Sequence, residues 1–247
     1  AYAVFRDMGW NISEWHAVEQ NGIASKVAEV AYAGKVKLIS EGVGSFNCTR
    51  WYDVVLAGPP CQPWSRLNTR AKGFGDQRSE VFSDCCRVIN QARAVNPAIK
   101  FMLETVVIHK RLSEDAEVQE VMIGQDIEEF NVTSVGGQSS RMRRVAQDVV
   151  ASVRQLEQRE PLDPNVLLNW LGARCKERVT GCVVASGAYS RARIMVQDVL
   201  TDQKRCASLD EMEALMGHVV GTSNAGGRVE MSYRDRAGAI GNGFHYE

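Results

Sequence analysis

The sequence has no apolar run near the roughly 18 to 20 residues a membrane span needs, and no charged-then-apolar leader with a cleavage site opens it. A soluble, intracellular protein is therefore expected, in the nucleoid or cytoplasm of a prokaryote or phage host, or in the nucleus of a eukaryote. Histidine is scarce, at 4 residues, and no CxxC pair is present, so a zinc site is not expected. The 7 cysteines are odd in number, which argues against a disulfide framework. Net charge is almost absent at -1, so any nucleic-acid contact must come from local basic clustering rather than a global field. No GxGxxG follows a strand, which disfavours a nicotinamide-binding enzyme. Repeats and low-complexity tracts are also missing. What remains is 247 residues, 45% hydrophobic, enough for one substantial core and a small appended domain.

The chain opens at Ala1 without Met, inside a helix-like pattern from Ala3 to Trp10, and stops at Glu247 in mid-pattern; both ends are expected to be truncations. Glu14 to Glu19 reads as a short strand and Ile23 to Tyr32 as a helix, with apolar Ile23, Val27 and Val30. Val36 to Ile39 and Val54 to Leu56 are short, continuous apolar runs, the signature of strands buried on both faces. Val81, Phe82, Cys85, Val88, Ile89 and Ala92 recur at intervals of three and four, and the pattern halts before Asn96-Pro97. Ile99 to Leu103 supplies the next strand. Strand, helix, strand with a right-handed crossover gives an α/β class: a doubly wound, mostly parallel sheet over residues 1–150.

Past Val150 the rhythm changes, with Pro161, Pro164, Gly181 and Gly187 breaking the apolar runs. Residues 151–205 carry Arg174, Lys176, Arg178, Arg191, Arg193, Lys204 and Arg205, as a phosphate-facing surface or a solvated face does. From 206 the chain is expected to return to the first domain, with Ser208 and Glu211 at capping-box spacing ahead of a helix that stops at Gly217.

Cys61 lies in Gly58-Pro59-Pro60-Cys61-Gln62-Pro63-Trp64-Ser65, directly after a strand, so it belongs at the carboxyl end of the sheet where open α/β folds place their sites. Three prolines stiffen the loop and fix the direction of the sulfur. A thiol so placed reads as a nucleophile. Glu104 ends the adjacent strand, and Arg141 and Arg143 alternate on a candidate strand, so both are expected to face one pocket. Glu19 ends an earlier strand, where such folds set an acid on ribose hydroxyls.

Gly58 to Ser65 resembles the catalytic loop of DNA (cytosine-5) methyltransferases. Phe101 to Val106 is similar to the family's Glu-Asn-Val motif, with Thr105 for Asn; Gln138 to Arg143 is similar to Gln-x-Arg-x-Arg with one extra residue. Leu209 to Gly217 resembles the Leu-Met-Gly segment, and Ala239 to Gly243 the terminal Gly-Asn motif. The spacing from Gly73-Phe74-Gly75 to Phe82 leans toward the eukaryotic de novo branch. The resemblance implies a class I, Rossmann-like methyltransferase that takes S-adenosyl-L-methionine and double-stranded DNA, with residues 151–205 as target-recognition region. It implies Cys61, Glu104, Arg141 and Arg143 as catalytic residues, and Glu19, Glu41, Pro59, Trp64 and Asn242 at the cofactor. The family's glycine-rich loop and first strand do not precede Ala3, Glu41-Gly42 stands where an Asp contacts adenine, and Thr105 replaces an Asn that orders the catalytic loop. A catalytically silent DNA-binding relative and an RNA-directed cytosine methyltransferase are the alternatives.

Overall fold

Short apolar strands joined by amphipathic crossovers build the computed structural model, which describes residues 1–65, 68, 70–108, 127–136, 140–149, 160–161, 163–175 and 194–242. The chain divides into two compact units, Glu41–Phe130 with Met142–Glu157, and Ala1–Ser40 with Asn131–Arg141 and Gln158–Glu247.

The second-named unit begins with helix α1 (Tyr2–Asp7), strand β1 (His16–Val18), helix α2 (Gly22–Ala31) and strand β2 (Lys37–Ile39). β1 and β2 pair in parallel, Val18 opposite Ile39, so α2 is their crossover. Asn21 starts α2 by accepting the N–H groups of Ile23 and Ala24 on its side chain. No residue of these four elements is fully buried.

The first-named unit holds β3 (Val54–Ala57), α3 (Glu80–Val95), β4 (Lys100–Val106), β5 (Ile127–Asn131) and β6 (Met142–Gln147), in sheet order β3-β4-β6-β5. β3 and β4 are parallel, and β6 runs antiparallel to β4. Five of the six predicted positions of α3, Phe82, Cys85, Val88, Ile89 and Ala92, are buried, joined by Cys86, while Val81 is half-buried. Pro97 disfavours helical backbone at Asn96, whose side chain donates to Tyr52 O at 2.8 Å and accepts the Ala98 N–H at 3.0 Å, turning the chain into β4. Phe101 on β4 is 0% exposed and packs with Phe82, Cys86 and Ile89; each such side chain contributes about 1.5–3 kcal/mol by leaving water.

The rest of the other unit comprises α4 (Asn165–Leu168), β7 (Ala173–Arg174), β8 (Met195–Asp198), β9 (Lys204–Cys206), α5 (Leu209–Leu215) and α6 (Tyr233–Asn242). β7-β8-β9 is an antiparallel sheet, and Leu168, Val196, Leu215, Met216 and Ile240 share its core. The capping box forms as the spacing predicts, with Ser208 and Glu211 bonding each other's backbone N–H. Among the described residues, β1 and β2 are hydrogen-bonded only to each other, leaving both outer edges of that pair unpaired, and β3 is an edge strand paired only with β4.

Candidate active site

The Cys61 loop is tied at both ends to β4 and its continuation. Ala57, the last residue of β3, is in register with Leu103, and Ser65 forms an antiparallel bridge to Ile108. Leu103 and Ile108 stand about 16 Å apart in extended chain, so a short loop is stretched over the end of β4 with Cys61 near its middle. The return is tight: Cys61 O accepts N–H groups from Trp64 at 3.1 Å and Ser65 at 2.9 Å. Asn68 Nδ2 donates to Gln62 O at 2.8 Å, and Gly73 N–H to Pro63 O at 3.0 Å. Cys61 is partly exposed, whereas Cys85 is buried and its thiol is pushed up to about 12 by that burial and by neighbouring Cys86 and Asp84.

Trp64 is the wedge beneath this loop. It is 2% exposed, meets Phe74 edge-on with centroids 4.7 Å apart, and touches Phe82 and Ile108. Its buried Nε1 has no hydrogen-bond partner among the described residues. Pro59 is buried as well. Trp64 therefore fixes the loop by packing rather than by presenting a ring to solvent.

Glu104 follows Leu103 at the carboxyl end of β4, opposite Val145 of β6, while Arg143 is opposite Val106. The two are diagonal neighbours on one face, and Arg143 Nε lies 2.5 Å from Glu104 Oε1 with the side chains 13% and 20% exposed. Thr105 alternates to the other face, 6% exposed, beside Phe82 and Leu103. The residue that departs from the Glu-Asn-Val pattern thus points away from Glu104.

Arg141 behaves differently from the expected alternation. β6 starts at Met142; Arg141 lies just before it, with its N–H on Asn131 Oδ1 at 3.0 Å and its O accepting from Val132 at 2.9 Å. Its guanidinium, 5% exposed, meets Met216 Sδ at 2.8 Å. These backbone bonds and the Met216 contact decide where its side chain goes. Gln138 and Ser139 lie outside the described residues.

The two carboxylates assigned to the cofactor lie one in each unit. Glu19 extends the β1 ladder, its N–H reaching Ile39 O at 3.1 Å, and Oε1 is held by the Asn21 N–H at 2.7 Å. Glu41 is exposed, two residues beyond β2. Carboxylates following the carboxyl ends of parallel strands suit donors such as ribose hydroxyls and an adenine amine. Asn242 is the last residue of α6, and its side chain lies outside the described residues.

The sequence reading passed over Arg78. Its Nε and Nη2 donate to the two carboxylate oxygens of Asp76 at 2.9 and 2.6 Å. Those bonds hold the partly buried Asp76 carboxyl down at about 2. The signal available was an acid two residues before an arginine, directly after Gly73-Phe74-Gly75.

Residues 32–129 match the model of the C-5 cytosine-specific DNA methylase family. That stretch is similar to this family. The matched residues include Cys61 and Glu104, and exclude Glu19, Arg141, Arg143 and Asn242. Solved structures of methyltransferases share the fold of this chain. Spodoptera frugiperda DNMT2, a mutant form, superposes with a TM-score of 0.67 at 13% identity, covering 99% of this chain and 92% of its own. S. pombe Dnmt2 methyltransferase gives 0.66 at 13% identity, over 99% of this chain and 90% of that one. Entamoeba histolytica methyltransferase EhMeth gives 0.60 at 16% identity, over 92% and 84%. Their shared fold is the Rossmann-like α/β class read from the sequence. Among the described residues no helix is long and apolar enough to cross a membrane.

Proposed function

We propose that the chain transfers a methyl group from S-adenosyl-L-methionine to carbon 5 of cytosine in double-stranded DNA, with Cys61 as the nucleophile. One observation carries the reading: a partly exposed thiol sits on a loop anchored at both ends to the strand that bears Glu104. Carbon 5 of cytosine is a poor nucleophile. Addition of the Cys61 thiolate forms an Sγ–C6 bond and turns the ring into an enamine whose carbon 5 is electron-rich. Glu104, oriented by Arg143, holds ring nitrogen 3 and the exocyclic amine and favours the protonated nitrogen that addition creates. S-adenosyl-L-methionine supplies the electrophilic methyl group when bound. Glu19 and Glu41 hold its ribose and adenine, with Pro59 and Asn242 nearby by family resemblance. Loss of the carbon 5 proton and departure of the Cys61 thiolate then restore the ring.

The target atom is hidden in a stacked duplex, so the base is flipped out to reach the sulfur. Residues 151–205 act as the target-recognition region between a catalytic domain over 1–150 and its return over 206–247, with exposed Arg174 and Lys204 among its phosphate contacts. Transfer of labelled methyl from the cofactor to duplex DNA tests the reading: wild type transfers and Cys61→Ala does not. Transfer retained by Cys61→Ala overturns it. Preference for tRNA over duplex DNA in direct competition replaces the DNA substrate with an RNA one.

A further inference from the structure

Glu41 to Asp53 contains no strand or helix, so its main-chain carbonyls have no ladder donors and find partners elsewhere. One edge of α3 supplies them. Arg87 directs its guanidinium to three carbonyls of this segment, Nη2 donating to Val43 O at 2.7 Å and Gly44 O at 3.0 Å, and Nη1 to Phe46 O at 3.0 Å. Gln91, one turn on, accepts the Cys48 N–H at 3.0 Å and donates to Asn47 Oδ1 at 3.3 Å. Asp84, one turn back, braces Arg87 at 3.3 Å, and Gly44 lies so close that a Cβ there would meet Asp84 Oδ2 at 3.0 Å. Asp84, Arg87 and Gln91 thus form a polar stripe at helical spacing beside the apolar face of α3. Cys48 is buried with Val88 and Ala92, and Val43 and Phe46 pack on the same cluster. The segment starts at exposed Glu41, and its tight turn begins at the next residue, where Gly42 O accepts the Ser45 and Phe46 N–H groups.

We propose that Arg87, braced by Asp84 and assisted by Gln91, is the positioning residue of the Glu41 segment, fixing in advance the backbone that carries the adenine-binding carboxylate. Arg87 touches no reactant. A guanidinium suits the task because its planar fork reaches several carbonyls at fixed angles, whereas an ammonium is a point charge without a plane. A segment ordered beforehand loses less freedom when the cofactor binds, so removing Arg87 weakens cofactor affinity. That use rests on the proposed reading of Glu41; the ordering itself does not.

Hydrogen exchange of the whole chain without ligand reads the ordering, and calorimetric titration with S-adenosyl-L-homocysteine, the cofactor without its transferable methyl group, reads its use. In Arg87→Met, which keeps the apolar stem and removes the donors, the amides of Ser45, Phe46 and Cys48 exchange about tenfold faster or more, and Kd rises about five- to twentyfold. Arg87→Lys falls between this variant and wild type. Ile89→Val, a core change on the same helix that lowers stability without touching the segment, is the control and keeps the wild-type Kd. Should Arg87→Met fail to fold, Gln91→Leu takes its place, with the Cys48 amide as the reporter. Unchanged exchange in Arg87→Met, or an equal loss of affinity in Ile89→Val, overturns the proposal. Faster exchange with an unchanged Kd overturns the part of Arg87 in cofactor binding. A wild type that does not bind S-adenosyl-L-homocysteine, while Arg87→Met still shows the exchange shifts, refutes the cofactor reading and leaves the ordering by Arg87 standing.

Discussion

Replacing Arg143 with Met leaves Glu104 without the guanidinium that sets its orientation. At the observed 2.5 Å and an effective dielectric of about 20, the gross attraction of the pair is roughly 7 kcal/mol. Both side chains are more than three-quarters buried, and stripping water from them offsets most of that attraction. A net coupling of about 1–3 kcal/mol is expected to survive. The cycle of Glu104→Gln, Arg143→Met and the double variant, measured by urea unfolding, reads this number directly. The same four proteins in single-turnover methyl transfer read its catalytic use: a carboxylate that loses its orientation lowers the chemical rate about 10- to 100-fold, or ~1.4–2.8 kcal/mol. Once Glu104 is gone, removing Arg143 costs little more. Stabilities that add within about 0.5 kcal/mol, together with independent rate effects, refute the claim that Arg143 works by orienting Glu104.

Two further predictions concern the unit that contains α5 and α6. Burial alone raises the Glu211 carboxyl, but the Arg205 bonds at 2.7 and 2.8 Å and the Ser208 N–H at 2.6 Å outweigh it and hold the group below its ordinary value. A carboxyl lowered in the folded state stabilises above its unfolded value of about 4.3, and that stability is lost as pH falls through the folded value. Glu211→Gln is therefore expected to cost about 1–2 kcal/mol at neutral pH, with the gap from wild type closing below about pH 4 in thermal melts; a gap independent of pH contradicts this. Glu213 is 0% exposed and accepts from Gly221 N–H at 2.5 Å, Ser223 N–H at 2.6 Å and Arg236 Nη2 at 2.8 Å. Gly221 suits that loop because its φ is +88 and a Cβ there would meet Gly226 Cα at 3.3 Å. Glu213→Gln faces donors with a donor and is expected to cost about 3–5 kcal/mol and to lose hydrogen-exchange protection at Gly221 and Ser223. Unchanged protection at those amides refutes the assignment.

Much of the site is legible in the sequence where covalent stiffness or strong periodicity governs local structure. The six apolar positions of α3, its stop at Asn96-Pro97 and the strand on either side place the Cys61 loop, and strand alternation places Glu104. Arg141 was not legible, since the first residue of β6 depends on hydrogen bonds from Asn131 and Val132, ten and nine residues away in sequence. Trp64 reads as a cofactor contact from its motif, yet its ring is spent on Phe74 and Phe82, partners that only the folded loop brings together. Arg78 looks like solvated surface in a linear reading. The Pro63–Gly73 bond and the Phe74–Trp64 contact show that its segment lies against the Cys61 loop.

The most direct test of the central claim incubates the chain with S-adenosyl-L-methionine and duplex DNA containing 5-fluorocytosine, followed by denaturing mass analysis of the peptides. Fluorine at carbon 5 cannot leave as a proton does, so the Sγ–C6 bond persists once the methyl group has moved. A DNA adduct on the peptide containing Cys61, absent without the cofactor and absent in Cys61→Ala, is the predicted result. DNA binding without any adduct, or an adduct on another cysteine, contradicts the account.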